Sequence, residues 1–131
     1  SKAPYQILHK DNTAHVVTDM LTGITAYAAF DTYKPQGDKL FSMIPAETMV
    51  MQKASDGGIV MSVCDPNLNI SEKTFTTKEP SRPIVKKIQM KGKWNLAQPN
   101  DKVKVQTTAT ETTLTVTCQH GQPVEFYIIK G

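Results

Sequence analysis

The sequence predicts an all-β chain folded as a two-sheet antiparallel sandwich of roughly ten strands in a meander-like order, without significant helix. Three observations carry this. Apolar and polar residues alternate with a period of two along most of the chain. Gly, Asn and Asp interrupt these runs at hairpin-like intervals. No window shows a convincing helical period.

The runs follow in order. Tyr5–Lys10 and Ala14–Asp19 are separated by Asp11-Asn12, and Thr22-Gly23 precedes Ile24–Phe30. The segment Pro45 to Lys53 has a helical alternative, but Met49 and Met51 alternate with Thr48, Val50 and Gln52, which favours a strand over Thr48–Lys53. Asp56-Gly57-Gly58 then leads into Ile59–Cys64. These first five runs are expected to form a meander of neighbouring strands. Later, Val103 and Val105 alternate with Lys104 and Gln106. Leu114, Val116 and Cys118 alternate with threonines, and His120-Gly121 separates Thr112–Cys118 from Pro123–Ile129. Threonine suits strands because its branched Cβ restricts χ1 and packs well on a pleated surface. Residues 65–83 differ: they are polar and hold three prolines, each lacking a ladder donor. They read as a long connector from one sheet to the other, with a short edge strand around Lys73–Phe75.

The bulk properties bound the function. A chain of 131 residues fits one domain, here 1–131. A formal charge of +3 is mild, and the basic residues do not form one block. The densest group is Lys86, Lys87, Lys91 and Lys93, with Lys102 and Lys104 beyond. On strands such lysines read first as a solvated or edge-protecting face, and second as an anionic-ligand surface. No stretch is long and apolar enough for a helical membrane span, and no signal peptide is recognisable. The chain opens on Ser1-Lys2-Ala3-Pro4, so it is expected to be an excised or processed fragment. Cys64 and Cys118 have no CxxC or Cys/His pattern around them. A reduced, buried pair is the first reading; an inter-strand disulfide in an exported parent is the other.

The search for chemistry yields no catalytic, cofactor-binding or metal-binding residues. His9 and His15 flank the first turn and are expected near each other, but two histidines are too few for a closed zinc site. His120 stands apart. There is no G-x-S-x-G, phosphate-binding glycine loop or H-E-x-x-H. Asp65 precedes Pro66, where an Asp receives turn hydrogen bonds, and the structural role outweighs the catalytic one. Trp94, between lysines, reads first as core and second as a platform for an anionic sugar. Aromatic residues make up 7% of the chain and are not interleaved with basic ones over several strands, so nucleic acid is not expected.

Tyr5-Gln6-Ile7-Leu8, Asp11-Asn12-Thr13-Ala14-His15-Val16-Val17 and Thr22-Gly23-Ile24-Thr25-Ala26-Tyr27-Ala28-Ala29-Phe30 together resemble the C-terminal region of family 8 polysaccharide lyases. Ile59-Val60-Met61-Ser62-Val63-Cys64-Asp65-Pro66-Asn67-Leu68-Asn69 resembles the V-x-D-P-x-L-N turn of the chondroitin sulfate branch. The resemblance covers essentially the whole chain in order. It implies a β-sandwich that packs on the central β domain of a larger secreted or periplasmic enzyme, whose cleft is formed with an N-terminal helical toroid. That enzyme would cleave glycosaminoglycan by β-elimination, using Asn, His, Tyr and Arg residues of the helical domain. None of those motifs is present, so His9, His15 and His120 inherit no role, and the chain alone is expected to be inactive. The implied partners are the upstream domains and an anionic polysaccharide. The alternatives are an independent carbohydrate-binding module, with Trp94, Tyr27 and the lysines as its surface, and a plain interaction domain of an exported protein.

Overall fold

The computed structural model describes residues 4–67, 82–119 and 121–131. The expected edge strand at Lys73–Phe75 lies outside them, as does His120. The described residues form eleven strands and no helix. They are β1 (Tyr5–Lys10), β2 (Ala14–Asp19), β3 (Thr25–Ala29), β4 (Phe41–Met43), β5 (Thr48–Ser55), β6 (Gly58–Cys64), β7 (Ile84–Lys91), β8 (Trp94–Leu96), β9 (Val103–Thr107), β10 (Glu111–Cys118) and β11 (Val124–Lys130).

Two sheets result. The larger has seven strands in the order β1-β2-β3-β5-β6-β11-β8, and the smaller has four in the order β4-β7-β10-β9. Every strand pairing is antiparallel. The five early runs are consecutive neighbours in the larger sheet, as their turn spacing implies. The strands flanking the polar connector, β6 and β7, lie in different sheets. Short β4 makes an earlier visit to the smaller sheet before β5 returns to the larger one.

The inner faces of the two sheets supply the core. Val50, Met61, Val63 and Ile128 from the larger sheet are fully buried, as are Phe41, Ile88, Met90, Leu114 and Val116 from the smaller. The Tyr27 and Phe41 rings meet edge to face across the layers, with centroids 4.9 Å apart. Because side chains alternate along a strand, burying one set leaves the intervening set on an outer face. The two outer faces differ in chemistry, and this bears on function.

Candidate functional site

The first turn does not bring the two histidines together. A bulge between Ile7 and His9 shifts the β1–β2 register, so His9 opposes Val16 and Lys10 opposes His15. His9 therefore shares the inward side with buried Val16, its ring centroid 5.1 Å from that of Tyr33. His15 faces outward, its ring 5.0 Å from Phe30. His9 Nε2 lies 2.9 Å from Asp11 Oδ2. The N–H groups of Thr13 and Ala14 donate to Asp11 Oδ1 and, ahead of His9, hold that carboxyl below its usual range.

Beside His9 opens a cleft of about 390 Å³, lined also by Asp11, Tyr33, Lys34, Gln36 and Asp38. Its carboxylates divide between backbone and side chains. Asp38 Oδ1 accepts the N–H groups of Leu40 and Phe41, and Oδ2 accepts the Tyr27 hydroxyl, each at 2.8 Å. Burial, reinforced by Asp38, pushes the Tyr27 hydroxyl's pKa up. Each aspartate thus fixes a loop through one oxygen and meets a side chain, His9 or Tyr27, through the other. Among the described residues, no group of three or more His, Cys, Asp or Glu is placed to hold a metal ion.

The aromatic residues assigned to a sugar-binding surface are in the core. Trp94 is 6% exposed and Tyr27 is 3% exposed, so neither face is open to a ligand. The Trp94 indole N–H donates to the Lys91 carbonyl at 3.0 Å, and the Lys130 ammonium sits 4.3 Å from the ring centroid. This satisfies the indole's single donor and lets the ring be buried.

Asp65 has the expected turn bond, accepting the Asn67 N–H at 2.8 Å. Its other oxygen lies 2.9 Å from Lys86 Nζ, with both side chains under a tenth exposed. Lys86 also donates to the carbonyl of Glu47 at 2.8 Å. Burial by itself would raise the Asp65 carboxyl; the Lys86 ammonium and the Asn67 N–H outweigh it and hold the group below the usual carboxylate range. The pair ties β7 of the smaller sheet to the end of β6 and the start of β5 in the larger. Lys86 therefore does not belong to the solvated lysine face. Its place in the alternation Ile84, Lys86, Ile88, Met90 is the signal for an inward side chain.

The cysteines also depart from a buried pair. Cys118 is buried, whereas Cys64 is half-buried because its neighbour Val63 takes the inward position. Both thiols are free, and burial pushes both up.

The most distinctive surface is the outer face of the larger sheet. The register aligns Ile7 with Val17, Val17 with Ala26, Ala26 with Met51, and Met51 with Ser62. An apolar row thus crosses β1, β2, β3 and β5 without a break. Phe30, Met49 and Val60 widen it, and Ile7, Phe30, Met51 and Val60 are each at least 41% exposed. The signal was in the sequence: Ile24 to Phe30 is apolar on both alternating sets apart from Thr25, the pattern of a strand covered on both sides. Contiguous exposed apolar residues of this kind are a candidate interaction surface.

No family model matches the sequence. The chain is 30% identical over 121 residues to chondroitin sulfate ABC endolyase from Proteus vulgaris, an alignment that covers 92% of this chain. The chain spans only 11% of that relative's length. It is similar to a domain-sized part of a glycosaminoglycan lyase.

Proposed function

We propose that the chain is the non-catalytic C-terminal sandwich of a secreted or periplasmic, chondroitin-type lyase of polysaccharide lyase family 8. Its role is to pack the outer face of its larger sheet against a neighbouring domain of the same enzyme and so support the cleft where β-elimination occurs. The observation that carries this is the apolar row from Ile7 through Val17 and Ala26 to Met51, continuous across four strands. Water on such a face is unfavourable, and a covering domain removes that cost. The likeness to one part of a much longer lyase supports a covering domain from the same polypeptide. The family-level assignment, the substrate class and the exported location rest on the resemblance of the sequence motifs.

The test uses the parent lyase carrying this domain. Phe30→Asp with Met51→Asp places two charges on the row. Scanning calorimetry is expected to show the sandwich unfolding in a transition separate from the rest, and limited proteolysis to release it. Unchanged unfolding and proteolysis would contradict docking through this face. The isolated chain is expected to give no rise in ultraviolet absorbance on chondroitin sulfate. Turnover by a clean preparation would refute the non-catalytic role.

A further inference from the structure

The outer face of the smaller sheet has the opposite character. Inward positions on β7, β10 and β9 are taken by Lys86, Ile88, Leu114, Val116 and Val103, so the intervening residues stand outward. The register then sets Lys87 against Thr115 and Thr115 against Lys104, one row across three strands. The next row is Gln89, Thr113 and Gln106. On the other side Thr117 opposes Val85, and its N–H donates to the Lys102 carbonyl at 2.9 Å. Lys87, Lys102 and Lys104 are exposed and form no ion pair among the described residues. The only carboxylate within these three strands is Glu111, at the far end, where it accepts a hydrogen bond from the Ser42 hydroxyl. Asp101, in the loop before Lys102, is the nearest other acid in sequence.

Lys87 and Lys104 sit two strands apart, so their backbones are separated by roughly 10 Å. Thr115 lies between them, and the Gln89–Thr113–Gln106 row beside it makes a strip of hydroxyls and amides. Free cations spaced along such a strip complement a chain that alternates charged groups with hydroxyls. The exposed residues of β7, β9 and β10 include no aromatic ring on which a base could stack, which disfavours single-stranded nucleic acid.

We propose that this face binds an anionic polysaccharide laid across β7, β10 and β9. Carboxylate or sulfate groups meet Lys87, Lys102 and Lys104, and sugar hydroxyls meet Thr113, Thr115, Gln89 and Gln106. The choice of polysaccharide rests on the proposed lyase membership; the cationic strip does not. The face lies on the opposite side of the sandwich from the apolar row, so one domain can dock and hold polymer at once.

The test titrates the 131-residue chain with chondroitin sulfate and, separately, with neutral dextran and single-stranded DNA, at about 20 mM and about 150 mM salt. Chondroitin sulfate is expected to bind at low salt and to weaken at the higher salt, with dextran inert and DNA weaker. Lys87→Gln with Lys104→Gln is expected to lower affinity about tenfold or more, while Lys10→Gln with Lys53→Gln, on the apolar face, changes little. Circular dichroism confirms that both variants keep the fold. The proposal fails if chondroitin sulfate does not bind at low salt, if dextran binds equally, or if both lysine pairs weaken binding alike. DNA binding as tight as chondroitin sulfate would overturn the polysaccharide assignment. Each of these outcomes is independent of whether the apolar row docks in the parent enzyme.

Discussion

Asp65 and Lys86 show how one contact sets the cost of a substitution. Asp65→Ala would leave the Lys86 ammonium buried with only backbone carbonyls for partners among the described residues. A loss of about 3–5 kcal/mol is expected, read from the urea midpoint. Replacing both residues with apolar ones, Asp65→Leu with Lys86→Met, should recover most of that loss, because an unpaired buried charge is costlier than no charge. The pH dependence follows from the same pair. The Asp65 carboxyl is held low in the folded chain, so its contribution is complete above the unfolded value of about 3.9 and fades as pH falls through the folded value. Acid titration of stability should therefore show a loss below about pH 4 that is smaller in the doubly apolar variant, where the Asp11 and Asp19 carboxyls, also held low, still contribute. Lys86 was legible only in part. Its alternation with isoleucines points inward, but the adjacent Lys87 and the later lysines suggest a solvated group, and its partner Asp65 lies across the connector.

At the scale of elements, the β5–β6 hairpin is the most tightly specified. Asp56 and Gly57 both take positive φ, 49° and 81°, as a two-residue turn matched to strand twist requires. Gly58 is needed for another reason: a Cβ there would come within 2.5 Å of the Ile128 carbonyl and 2.7 Å of the Tyr127 ring. Gly58→Ala is expected to cost about 1–3 kcal/mol through forced displacement of β11, measurable by thermal unfolding. The strands that the sequence announced are those whose alternation runs five residues or more between turn residues, such as β2, β6, β10 and β11. β4 and β8 are three residues each, too short for a period to register. The longer β7 was obscured because a lysine occupies a core position. The bulge in β1 defeated the placement of His9 beside His15, since one extra residue exchanges inward and outward positions.

For the whole molecule, the described outer face of the larger sheet carries an apolar row flanked by Lys10, His15 and Lys53, and that of the smaller sheet is polar and cationic. The sandwich itself was legible from period and punctuation, since alternation directly encodes a sheet with an inner and an outer side. The apolar row was less so. Ala26, Ala28, Met49 and Met51 come from separate runs, and only the register brings them into one surface. Trp94, the obvious aromatic candidate, was drawn inside by a nearby carbonyl that satisfies its indole. Methionine oxidation tests the central claim most directly. Met49 and Met51 are 40% and 41% exposed in the chain alone, whereas Met61 and Met90 are fully buried. Dilute peroxide followed by peptide mass analysis should oxidise Met49 and Met51 readily in the isolated chain and many-fold more slowly in the intact lyase, with Met61 and Met90 slow in both. Equal rates at Met49 and Met51 in the two preparations would show that the face stays open to water and would contradict the docking role.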